Sequence, residues 1–194
     1  MDDIIGWYKQ LNKGVKSAIK FICFVLVVAT IMWAFIHFLY GPMLVAGDSM
    51  NPALSDDDII IIDKTAYWSK EPERYDIVAF KYKYDHSQLY IKRIIGLPGE
   101  TLYIEDNKIY ILNEETGEFE RLQEYYGIYE GQAKYQDCDK MTLGDDEYFV
   151  LGDNRNDSED SRSTGVGAVK RELLVGRACF RLLPLEGIGS LQYQ

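Results

Sequence analysis

Hydrophobic residues follow two regimes along this chain. From Phe21 to Tyr40 the sequence "FICFVLVVATIMWAFIHFLY" runs without a Lys, Arg, Asp or Glu. A helix rising about 1.5 Å per residue carries such a run across a hydrocarbon core of about 30 Å. Trp33, Phe38 and Tyr40 lie toward its far end, where aromatic rings favour the lipid–water boundary. Gly41-Pro42 is expected to end the helix. A cleaved secretory signal is the competing reading, but its apolar core is shorter and leads to a small-residue cut site. The run therefore predicts an uncleaved anchor.

After residue 41 the period becomes extended. "DIIIID" (58–63), "DIVAFKYKY" (76–84), "QLYIKRII" (88–95), "TLYI" (101–104), "KIYIL" (108–112) and "EYFVLG" (147–152) are rich in β-branched and aromatic residues. Glu105-Asp106-Asn107 reads as a hairpin turn, and "GRACFRLLPL" (176–185) as a last strand. No comparable amphipathic helix follows the anchor. The expected fold is mostly β, a folded sheet or barrel behind a single N-terminal transmembrane helix. Its parts are a segment 1–20, a span 21–40 and a β domain 41–194. Residues 113–146, acidic, rich in tyrosine and without a clear period, read as an insertion or subdomain on that core; a long loop is the alternative.

Charge adds an orientation. Lys9, Lys13, Lys16 and Lys20 precede the span against Asp2 and Asp3, while the whole chain carries −10. Lysines before a first span predict a cytoplasmic N-terminus in the cell membrane and an extracytoplasmic domain. The acidic remainder argues against a nucleic-acid partner, whose phosphates need a basic face. Cys23 lies in the span; Cys138 and Cys179 could pair in an oxidising compartment. No Cys/His spacing suggests a metal, and no cofactor is implied.

Two short stretches raise the chemistry. "GDSMNP" (47–52) places Ser49 in a polar turn, and "YIKRIIGLPGE" (90–100) places Lys92 among apolar strand residues. A lysine desolvated by such neighbours loses basicity and can deprotonate a serine hydroxyl. Alone, each has a plainer reading: a Ser/Asx turn and a solvent-facing strand lysine. Histidine is the usual base, yet His37 lies in the span and His86, in "YDHSQ", reads as a turn residue. Ser-His-Asp chemistry through His86 stays open. A third stretch, "GDNRNDSEDSR" (152–162), is either a solvated turn or a source of hydroxyl and carboxylate–guanidinium groups that hold a lysine in place.

Together the three stretches resemble the type I signal peptidases, membrane enzymes of the Ser-Lys dyad that remove signal peptides from exported preproteins. "YDIVAF" (75–80) and the closing "GVGAVKRELLVGRACFRLLPLEGIG" also match that family's pattern. The resemblance implies Ser49 as nucleophile and Lys92 as general base, with Ser158 hydrogen-bonding the amine. Asp160 with Arg162 would form an ion pair behind the site, supported by Arg93 and the turn Asp153-Asn154-Arg155. Gly47 stands where some members carry a serine that helps bind the oxyanion, as in many Gram-positive relatives, so backbone N–H groups around Ser49 must do more. Ala53 stands where threonine is frequent. Preproteins would add an extended segment along Met43–Ala46 and Leu89–Ile91, with Val45 and Ile91 lining pockets for small side chains before the cut. Two alternatives are a Ser-Lys peptidase dedicated to one pilus or conjugation substrate, and a non-catalytic membrane-anchored peptide-binding domain.

Overall fold

The computed structural model describes residues 11–106, 108–125 and 137–191, in two units, 1–40 and 41–194. In the first, helix α1 covers Lys13–Leu39, with the Asn12 side chain accepting from the Val15 N–H at 2.9 Å as its N-cap. It starts before the apolar run and takes in Lys13, Lys16 and Lys20. None of its residues is buried. An apolar run of this length with no buried residue is matched to lipid. The helix ends at Leu39 because Tyr40 turns extended (φ −125°, ψ 139°). Gly41 and Pro42 are therefore not a break after the helix; they belong to the first strand, β1 (Tyr40–Leu44). That strand lies at a sheet edge, where proline's missing N–H costs no ladder bond.

The second unit holds two sheets. The larger follows the order β1, β2 (Ile59–Asp63), β11 (Leu174–Leu183), β3 (Ile77–Tyr82), β4 (Asp85–Gly96), β9 (Glu147–Leu151) and β10 (Val169–Lys170); β12 (Gly189–Ser190) pairs with β11. The smaller runs β7 (Phe119–Arg121), β6 (Lys108–Leu112), β5 (Thr101–Glu105), β8 (Cys138–Thr142). Strands β2, β3, β4, β5, β6, β9 and β11 fall on the expected segments. β7 and β8 lie within 113–146, where few apolar positions mark them: Phe119 packs on the Tyr103 ring, and Cys138 and Met141 reach the core beneath β5. Residues 126–136 of that stretch lie outside the described residues. Cys138 and Cys179 are free thiols in different sheets.

Strand β3 explains the core. Its alternating sets are both buried: Ile77 and Ala79 pack with Ile60, Ile62, Ile91 and Ala178, whereas Val78 and Phe80 pack with Ile94, Tyr148 and Val150 on the opposite face. A sheet covered on both faces reads as a continuous apolar run. A third cluster around Ile95, Leu102, Ile109, Phe149 and Leu151 joins the two sheets. Lys92 is one of the few charged side chains in this interior, 5% exposed.

Candidate active site

The serine turn is fixed from below. Met50, Ala53 and Leu54 sink into the cluster that also holds Val45, Ile77 and Ile91, while Asn51 N–H donates to Asp48 O (3.0 Å) and Leu54 N–H to Met50 O (2.8 Å). Ahead of the serine, Gly47 takes φ +82°, a left-handed value that suits glycine. Its N–H donates to Asp56 Oδ1 at 2.7 Å, so it is committed within the turn. Ser49 is left between two buried anchors with its side chain directed to β4.

Strand β4 pairs Ile91 with Ala79, Lys92 with Val78 and Arg93 with Ile77. Successive side chains point to opposite faces. Lys92 thus shares a face with Tyr90 and Ile94, and Arg93 faces the other way. The Lys92 Nζ lies 2.7 Å from Ser49 Oγ and 3.0 Å from the Ile91 carbonyl oxygen, with the Tyr90 ring centroid 5.8 Å away. Burial pushes the amine down to about 8 from its ordinary 10.5, against the opposing pull of Asp160, Asp153 and Glu159. An amine poised this way is within range to accept a hydroxyl proton near neutral pH. The alternative base is too far: His86 sits six residues back along β4, about 20 Å at the rise of a strand. It lies in the strand rather than in the turn expected for it.

The loop after β9 closes the third side. Arg93 and Asp153, 1% and 0% exposed, form a two-pronged pair with Nε–Oδ1 2.9 Å and Nη2–Oδ2 2.6 Å, and Arg93 Nη1 also donates to the Tyr75 carbonyl. Asp160 receives both Arg162 Nε and Nη2 at 2.8 Å, and it accepts the Gly152 N–H at 3.0 Å. Arg155 donates to the Gly152 carbonyl (2.9 Å) and to Glu124. The loop meets the serine turn where Asn154 N–H donates to Ser49 O at 3.1 Å. A Cβ on Gly152 would sit 2.2 Å from Ser158 Oγ and 2.4 Å from Ser49 O, so this contact exists only because residue 152 has no side chain.

Beside Ser49 opens a groove of about 270 Å³, walled by Met43, Leu44 and Ala46 on one flank and Leu89, Tyr90 and Ile91 on the other, with Lys92 and Glu159 near the serine. The flanks belong to the edge of β1 with its extension and to the middle of β4.

The sequence matches the family described as signal peptidase, peptidase S26, over residues 16–183. The chain belongs to this family. It is similar to a signal peptidase I of Bacillus amyloliquefaciens, 31% identical over 89% of this chain and 92% of that protein. Signal peptidase I S of Bacillus subtilis (strain 168) is 32% identical over 91% and 95%. A probable signal peptidase I-2 of Synechocystis sp. is 37% identical over 76% and 65%.

Within this signal peptidase chain, most residues singled out from the sequence converge, but two depart from expectation. Val45 does not line the groove; its side chain is buried in the core, and neighbours Leu44 and Ala46 take the wall. Ser158 does not hold the amine: its buried Oγ has no hydrogen-bond partner among the described residues, and Lys92 bonds Ser49 and Ile91 O instead. Glu159 and Tyr90 were not singled out as site residues, although strand alternation already set Tyr90 beside Lys92. Glu124, from the irregular stretch, gave no signal at all, since its pairing with Arg155 spans 31 positions.

Proposed function

We propose that this chain is a membrane-anchored serine endopeptidase that removes signal peptides from exported preproteins, with Ser49 as nucleophile and Lys92 as general base. The 2.7 Å approach of a buried lysine amine to the Ser49 hydroxyl carries the reading. A preprotein segment lies extended in the groove between Met43–Ala46 and Leu89–Ile91, placing small side chains against Ile91 and its neighbours ahead of the scissile bond. As Ser49 Oγ attacks the carbonyl carbon, neutral Lys92 accepts the hydroxyl proton; the resulting ammonium donates it to the leaving amine as the C–N bond breaks. Water then attacks the acyl-enzyme, Lys92 again taking a proton, and Ser49 leaves as the hydroxyl.

The developing oxyanion has the Ser49 N–H as a donor; that group has no acceptor among the described residues, whereas Gly47 N–H is held by Asp56. Ser158 is assigned to the acylated state. Once Ser49 Oγ is esterified it no longer serves the amine as before, and the hydroxyl of Ser158, without a partner among the described residues, is a nearby group available to orient it. Arg93–Asp153, Asp160–Arg162 and Arg155 hold the loop that positions it. The lysines ahead of the span support a cytoplasmic N-terminus and an extracytoplasmic catalytic unit.

The test is cleavage of a signal-peptide-bearing preprotein by the detergent-solubilised full chain beside Ser49→Ala. Cleavage at the signal junction by the wild type and none by the variant is expected; equal processing by both would refute the nucleophile, and no processing by either would refute the function.

A further inference from the structure

The groove contains one charge that the proposed reaction does not use. Glu159 lies directly after Ser158 and is exposed, yet its side chain lines the groove with Ser49 and Lys92. It is the carboxylate among the described lining residues; the flanks are Met43, Leu44, Ala46, Leu89 and Ile91, with the Tyr90 ring beside it. Tyr90 hydroxyl lies 3.5 Å from Glu159 Oε2, the outer limit of a hydrogen bond, which sets the carboxylate beside β4. On the other side Glu159 rests against Gly165: a Cβ there would lie 2.7 Å from Oε1. A negative charge thus lines an otherwise largely apolar groove, close enough to Lys92 to be felt by its amine.

We propose that Glu159 is a specificity-determining residue: it selects substrates carrying a basic side chain next to the scissile bond and rejects those carrying an acidic one. The proposal rests on the peptidase reading above. A substrate strand between β1 and β4 brings its residues nearest the cut past Ser49 and therefore past Glu159. A lysine or arginine there finds a carboxylate within side-chain reach, whereas a glutamate meets like charge. Lys92 does not offset this, because its neutral form is the working one. Both Asp153 and Asp160, the other acids near the amine, are already engaged by Arg93 and Arg162, so Glu159 is the acid left facing the substrate.

The test uses matched signal-junction peptides with Lys, Gln or Glu at each of the residues flanking the cut, assayed with the full chain, Glu159→Gln and Glu159→Lys. Partly exposed pairs change affinity by about two- to fivefold each, so the Lys-to-Glu ratio of kcat/KM in the wild type is expected to be about tenfold at one or more of these positions. It should fall toward unity in Glu159→Gln, invert in Glu159→Lys, and shrink in wild type at about 1 M salt, where the screening length drops to about 3 Å. The acidic limb of the Glu159→Gln pH profile should move to lower pH, since a charge that holds the Lys92 proton has gone while Asp153, Asp160 and Tyr90 remain. Charge ratios identical in wild type and Glu159→Gln overturn the assignment and leave the peptidase reading standing. A wild type that cuts none of the peptides overturns that reading, and the assignment with it.

Discussion

Replacing Lys92 separates charge from basicity. Its amine is driven from 10.5 to about 8, which corresponds to about 3 kcal/mol against the charged form. At pH 7 about one Lys92 in ten is then neutral, against about one in 3,000 for a free lysine. Turnover should rise about tenfold from pH 7 to pH 9 and level off; an unperturbed lysine would give a rate still climbing at pH 10. Lys92→Arg keeps the charge but stays protonated at every pH of the assay, and is expected to be inactive. Lys92→Met should be inactive yet more stable. The sign follows from linkage. Between pH 8 and 10.5 the unfolded chain binds a proton that the folded one does not, so stability rises with pH across that window. The cost of burying the charge is complete below pH 8 and absent above 10.5. Lys92→Met should therefore gain up to about 3 kcal/mol over wild type at pH 7, less what the lost hydrogen bonds contributed, and the gain should vanish by about pH 10.5. Denaturant unfolding at pH 7 and pH 10.5, with peptide cleavage from pH 6 to pH 10, measures both halves. An active Lys92→Arg enzyme, or an acidic limb near pH 10, would refute the buried base.

Other outcomes follow from the same geometry. Ser158→Ala removes a buried hydroxyl that has no partner among the described residues, so it should raise stability by about 1 kcal/mol while lowering turnover; a variant with wild-type kcat would dismiss the role given to Ser158. Asp153→Asn removes the carboxylate of the buried two-pronged pair with Arg93 and should cost about 3–5 kcal/mol, read as a fall in the unfolding midpoint. On intact protoplasts, external protease should degrade residues beyond 41 and spare 1–20; protection of the catalytic unit would reverse the proposed orientation.

What was legible in the sequence depended on range. Strands such as Ile77–Tyr82 and Lys108–Leu112 announce themselves because their signal is local: β-branched and aromatic side chains, with turns between. The Ser49–Lys92 pair was legible only through resemblance. Lys92 on its own looks like a surface residue, and its burial depends on segments distant in sequence, β3 beside it and the serine turn against its amine. The same limit hid Phe119–Arg121 and Cys138–Thr142, whose few inward residues matter only once β5 and β6 lie beside them. Val45 shows the opposite error: a role carried by position in a motif named the right neighbourhood and the wrong wall. Direction of a side chain, and which of two acceptors an amine takes, are set by packing.

Strand β4 places a proton acceptor and a permanent cation at adjacent positions, on opposite faces. A shift of one residue in its pairing would present Arg93 to the hydroxyl and turn Lys92 toward Asp153, preserving net charge, hydrophobic content and β-propensity throughout. Such a protein would satisfy every coarse criterion of the fold while holding a guanidinium that cannot accept a proton. The fork of Arg93 on Asp153 opposes this, since it fits one alignment of β4 against the loop and the shorter amine of Lys92 cannot reproduce its two parallel bonds. Single-residue insertions between Ile91 and Gly96 should consequently be far less tolerated than substitutions there other than at Lys92 and Arg93, and lengthening should be confined to the Lys83-Tyr84 turn, upstream of the frame that the fork defines.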